Sequence, residues 1–141
     1  MDCRNRAIKV STARHNSGRT FWGGALFCLL ADLDIRSRTE NRQSLQTALH
    51  AVLAAGGNSE AHWPLDHVLE VAERAIGVPV LGELYQKMKD RLVDIDLTGL
   101  SSGLGVSLAN ENTSFDDSAP LAAIRRAITA PPTARPAVRS Q

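Results

Sequence analysis

The chain has 141 residues, 43% of them hydrophobic, and sets 16 Lys and Arg against 15 Asp and Glu for a net charge of +1. That length and apolar content suit one domain with a packed core, and the near-neutral balance has no basic excess of the kind that neutralises phosphates, which argues against a nucleic-acid partner. Two cysteines, Cys3 and Cys28, do not make a disulfide framework. Both are read as free thiols, with Cys28 expected to be buried in an apolar run.

Residues 1–16 are polar, with Arg4, Arg6, Lys9 and Arg14, and contain no uninterrupted apolar region of the kind a secretory signal requires. They are expected to form a poorly ordered or replaced N-terminal segment, and the default expectation is a cytoplasmic protein. From Phe21 to Ala31 the chain carries no charge, so a helix over Phe21 to Arg36 is apolar on every side through most of its length and is expected to lie inside the molecule. Asp32, Asp34 and Arg36 interrupt it well short of the about 20 apolar residues a membrane span needs. Glycine weakens a helix by roughly 1 kcal/mol relative to alanine, so Gly23 and Gly24 predict another backbone or a ligand close by.

After a polar connection through Ser37 to Gln43, Ser44 is placed to cap a helix over about Leu45 to Ala55, with Leu45, Ala48, Leu49, Val52 and Leu53 on one face and Gly56-Gly57-Asn58 to close it. Pro64 suits the first turn of a third helix carrying Leu65, Val68, Leu69, Ala72 and Ile76, which Gly77 ends. Pro79 opens a fourth, with Leu81, Leu84, Tyr85 and Met88 as its apolar stripe and Lys87, Lys89, Asp90 and Arg91 facing water. Beyond Leu92 the pattern loosens. Asp96 to Leu100 starts a short helix weakened by Gly99, Gly103 and Gly105. Val106 to Leu108 and Thr113 to Phe115, around a turn-prone Ala109 to Asn112, allow a small hairpin that would be marginal unless it packs on the helices. Ser118 resembles an N-cap, and Pro120 an early residue, of a last helix with Leu121, Ile124 and Ile128. The Pro-rich tail of residues 130–141 reads as extended and solvated.

The order of several short stretches carries a family resemblance. Arg19-Thr-Phe-Trp-Gly-Gly-Ala-Leu-Phe-Cys-Leu-Leu-Ala-Asp32, then Asn41-Arg42 with Leu45, Ala48 and Leu49, Ala54-Ala55-Gly56-Gly57-Asn58, Trp63-Pro64-Leu65, Gly77-Val78-Pro79-Val80-Leu81, Glu83-Leu84-Tyr85, Phe115-Asp116-Asp117 and Ala119-Pro120-Leu121 together resemble the C-terminal helical part of the glycyl aminopeptidase family, zinc metallopeptidases related to aminopeptidase N. The resemblance covers roughly Ser17 to Thr129. It implies that Arg19, Thr20, Phe21, Trp22, Gly23 and Gly24 border a catalytic cleft in relatives. For the isolated chain, core filling by Phe21 and Trp22 is the favoured reading.

Two departures bear on activity. The His-Glu-x-x-His helix that carries zinc in the family occurs nowhere in the chain, and Phe21 stands where the wider group has a tyrosine implied to stabilise the tetrahedral intermediate. Phenylalanine has no hydroxyl to donate. No catalytic or metal-binding residue is therefore assigned, and zinc is expected only if a complementing domain supplies its ligands. From the residues alone, His62 and His67-x-x-Glu70 are the nearest thing to a zinc set, but they lack a further converging ligand. His15 and His50 read as surface residues. Ser101-Ser102-Gly103 offers no nucleophile elbow, and Gly103-x-Gly105 lacks the third glycine and the strand-to-helix setting of a dinucleotide loop.

The expected fold is an all-α, antiparallel bundle-like domain of four or five helices over residues 17–129, with the helix from Phe21 to Arg36 central. Two functions remain open. One is the C-terminal portion of a metallopeptidase, truncated or split and inactive alone, whose partner is a zinc-containing catalytic half. The other is a non-catalytic helical module that binds another protein. Neither reading includes a nucleic acid or a membrane. Either one exposes apolar surface where the partner docks, which predicts self-association.

Overall fold

The computed structural model describes residues 16–89, 95–109 and 111–131, with the side chains of residues 16–22 excepted. Expectations for residues 1–15, including Cys3 and His15, for Asp90, Arg91 and Leu92, and for residues 132–141 lie outside the described residues. Six helices and one hairpin are described: α1 Asn16–Arg38, α2 Leu45–Ala54, α3 Leu65–Ile76, α4 Val80–Met88, α5 Leu97–Leu104, β1 Val106–Ala109, β2 Asn112–Phe115 and α6 Ala122–Thr129. The helical, bundle-like fold with a small C-terminal hairpin is thus observed, with six helices rather than four or five because both short C-terminal segments form helices.

Local chemistry sets most of the boundaries. At α2, Ser44 is the N-cap and its hydroxyl accepts the Thr47 amide at 3.3 Å. Beyond its end the Gly57 amide bonds the Val52 carbonyl and the Gly56 amide bonds the Leu53 carbonyl, at 2.9 and 3.0 Å. With Gly56 at φ +96°, this is a Schellman closure. Pro64 and Pro79 sit one residue before α3 and α4, so Pro64 is the N-cap and not a first-turn residue. Gly77, at φ +75°, closes α3 by returning its amide to the Glu73 carbonyl at 2.8 Å. α1 ends without glycine: Glu40 and Asn41 take left-handed backbone, and the Asn41 amide reaches the Arg36 carbonyl at 2.8 Å. Thr39 is buried there but satisfied, donating to the Ile35 carbonyl at 2.7 Å and accepting the Gln43 amide at 3.1 Å.

The core joins Ala31 and Ile35 of α1, Ala48 and Val52 of α2, Ala72 and Ile76 of α3, and Val80 and Leu81 of α4, with Phe27, Trp63, Val68, Leu69 and Leu84 packed around them. Ile35 and Val80 are its largest fully buried side chains, each contributing about 1.5–3 kcal/mol by leaving water. α2 packs most extensively on α3, and α1 touches α2, α4 and α6, so α1 is the central element, as the sequence predicts. Polar side chains stitch the helices together at their ends. The Asp32 carboxylate of α1 accepts the Leu45 amide that opens α2, and the Glu73 carboxylate of α3 accepts the Gly82 amide in the first turn of α4, at 2.8 and 2.7 Å. Arg38 grips Asp34 at 3.0 and 3.1 Å and reaches Glu83 of α4 at 2.8 Å.

The C-terminal part has its own organiser. β1 and β2 pair antiparallel from Val106 opposite Phe115 to Ala109 opposite Asn112. Arg125 of α6 donates to the carbonyls of Leu104, Gly105 and Asp116 at 2.8, 3.0 and 3.2 Å and pairs with Asp117. Its guanidinium also lies 5.2 Å from the centre of the Phe115 ring. One side chain from α6 therefore ties the end of α5 to the residues that enter and leave the hairpin, whose strands are otherwise largely exposed. Ser118 is not the N-cap of α6. Its amide and hydroxyl both donate to Asp116 Oδ1, at 2.8 and 2.6 Å, and the helix begins four residues later with Leu121 at the cap position.

Candidate functional site

The candidate site is the N-terminal half of α1. Positions four, three and four apart share a helix face, so Gly24, Cys28, Ala31 and Ile35 form one stripe. The stripe has two environments. Ala31 and Ile35 are wholly buried beneath α2 and α4, whereas Gly24 and Cys28 are exposed, with exposed Ala25 and Leu29 beside them. A single apolar face thus runs out of the core into an uncovered strip. The expectation that the whole uncharged run lies inside the molecule is corrected: burial of the helix sets in from Ala31, and Cys28 is an exposed free thiol rather than a buried one. The cause is coverage. The helices that seal α1 meet it at its C-terminal half, and an apolar sequence cannot bury itself without a neighbour to lie against.

Gly23 and Gly24 add a second correction. Among the described residues, nothing lies within 4 Å of where a side-chain carbon at either glycine would stand, so the close approach they predict is not made by any described part of the chain. Of the six cleft candidates, the structure places Arg19, Thr20, Phe21 and Trp22 on α1 in sequence with Gly23 and Gly24, and describes the surroundings of the two glycines alone.

The residues nearest to a zinc set do not fit one. His62 and His67 are exposed, and His67 stands edge-on to Trp63 with ring centres 4.5 Å apart. Its Nδ1 is 3.9 Å from Glu70, whose carboxylate is held by Arg74 at 2.6 Å. Among the described residues, no group of three or more His, Cys, Asp or Glu converges as metal ligands would. His50 is exposed on α2. Gly105 closes α5 at φ +69°, so the Gly103-x-Gly105 pair belongs to a helix end.

The expected apolar face of α2 is corrected in part: Ala48 and Val52 are buried, but Leu49 and Leu53, placed on the same face, are 53% and 60% exposed, because only the Ala48–Val52 line meets the core. A shallow groove of about 310 Å³ lies between the α1–α2 and α3–α4 connections, lined by Arg38, Thr39, Arg42, Gln43, Ile76, Gly77 and Val78. Among the described residues no helix is long and apolar enough to cross a membrane. Comparison with models of known protein families, with curated proteins and with solved structures found no match to the chain.

Proposed function

We propose that the chain is the C-terminal helical portion of a glycyl-aminopeptidase-like metallopeptidase, in a truncated or split form that does not hydrolyse peptides alone and docks a catalytic half through α1. The observation that supports this reading is the stripe that is sealed at Ala31 and Ile35 and uncovered at Gly24 and Cys28. An apolar helix face continuous with the core and exposed at Gly24 and Cys28 suits a second packed body. The His-Glu-x-x-His motif of the family does not occur in the chain, so no catalytic step is assigned to its residues.

The second reading is a non-catalytic helical interaction module derived from such a peptidase, and Phe21 in the tyrosine's place favours it. The same face of α1 would then receive an unrelated protein.

One experiment separates these from an autonomous enzyme. The purified chain is analysed for bound zinc and assayed on glycine- and alanine-initiated peptides, with and without the separately produced zinc domain of a family member. The expected result is neither zinc nor turnover alone, and binding to the zinc domain. Stoichiometric zinc with chelator-sensitive turnover by the chain alone would overturn the proposal. Slow turnover in the complex that rises in Phe21→Tyr favours the split enzyme, since removing one oxyanion donor typically costs on the order of a hundredfold to a thousandfold. A His-Glu-x-x-His reading frame immediately upstream favours the peptidase portion, and an unrelated neighbour favours the module.

A further inference from the structure

We draw no further inference here: the strongest candidate, the groove between the α1–α2 and α3–α4 connections, is lined by Arg38 and Arg42, which already face Asp34, Glu83 and Glu40, and nothing in the structure shows what it would hold.

Discussion

Asp32 of α1 caps α2 from outside: its Oδ1 accepts the Leu45 amide at 2.8 Å while its Oδ2 accepts Arg36 Nε at the same distance. The side chains of Asp32 and Arg36 are 17% and 14% exposed, so the contact is partly shielded from water. Asp32→Ala leaves an orphan amide at a helix start and a half-buried guanidinium unpaired, and is expected to cost about 1–3 kcal/mol in denaturant unfolding. Asp32→Asn keeps an acceptor for Leu45 and should cost less. Ser44→Ala removes a bond to a different amide of the same helix start and should cost about 1 kcal/mol. Equal losses in Asp32→Ala and Asp32→Asn would show that the Arg36 pair, and not the cap, carries the effect.

Gly57 and Gly56 differ in why they are glycine. A side-chain carbon on Gly57 would stand 2.6 Å from Val52 Cγ1 and 2.9 Å from Trp63 Cζ3, whereas one on Gly56 would meet nothing within 4 Å among the described residues but would sit on a backbone at φ +96°. Gly57→Ala therefore forces Trp63 or Val52 to move, at about 1–3 kcal/mol. Gly56→Ala is opposed by backbone strain alone. Val52→Ala should rescue part of the Gly57→Ala loss and none of the Gly56→Ala loss. Equal rescue of both in thermal unfolding would refute the distinction.

The C-terminal hairpin is expected to stand or fall with Arg125, whose side chain is 11% exposed and serves three carbonyls and a carboxylate. Arg125→Ala should cost about 1–3 kcal/mol, since the partly buried Leu104 carbonyl loses this donor while the Gly105 and Asp116 carbonyls keep the Asp116 and Ala119 amides. Arg125→Lys should recover part of the loss, because the three carbonyls are all served by the one nitrogen Nη1, which an ammonium can replace, whereas the second arm of the fork that pairs with Asp117 is lost. Gly105→Ala should be as damaging by another route: its added carbon would overlap the Asp116 carbonyl oxygen on a backbone already at φ +69°. Amide hydrogen exchange is the readout, with protection lost in β1, β2 and α6 and retained in α2 and α3. Uniform loss across all helices would mean that the two parts unfold as one unit.

Asp116 provides the pH dependence. Bonds from the Ser118 hydroxyl and then the Ser118 amide hold its carboxyl below the ordinary aspartate value of 3.8, against an opposing effect of desolvation, with the nearby Arg125 charge adding least. A folded value below the unfolded one contributes stability that is present above pH 3.8 and is lost as pH falls through the folded value. Carboxyl carbon titration by NMR should place Asp116 below a free aspartate. Ser118→Ala should raise it part of the way, because the amide remains. A midpoint at or above the ordinary value would remove the turn's electrostatic basis.

Helix ends were legible because their chemistry is local: Ser44, Gly56, Gly77 and Pro79 act within a few residues of themselves. What the chain alone did not disclose depends on distant partners. Asp32 and Glu73 cap helices to which they do not belong, and Arg125 binds carbonyls twenty or so residues away. Ser118 shows the converse, since a plausible cap was captured by the nearer carboxylate of Asp116. For the candidate site, Phe21 to Ala31 revealed a preference for an apolar setting. Periodicity cannot reveal whether the chain has enough other surface to provide one, and among the described residues none covers Gly24 and Cys28, which are exposed.

That shortfall yields the sharpest test of the docking reading. Gly24 lies in a helix with open space around it among the described residues, so Gly24→Leu should leave the isolated chain as stable or raise its stability by up to about 1 kcal/mol through helix propensity. In the complex the same substitution puts a bulky side chain where a second body packs, and affinity for the zinc domain should fall at least tenfold by calorimetry. Gln46→Leu, on the exposed side of α2, should leave affinity unchanged. In a Cys3→Ser background, Cys28 should react with a thiol reagent as an exposed cysteine does and become protected when the zinc domain is added. Binding that tolerates Gly24→Leu and leaves Cys28 reactive would place the interface elsewhere. Loss of stability in Gly24→Leu alone would mean that this chain already covers the strip.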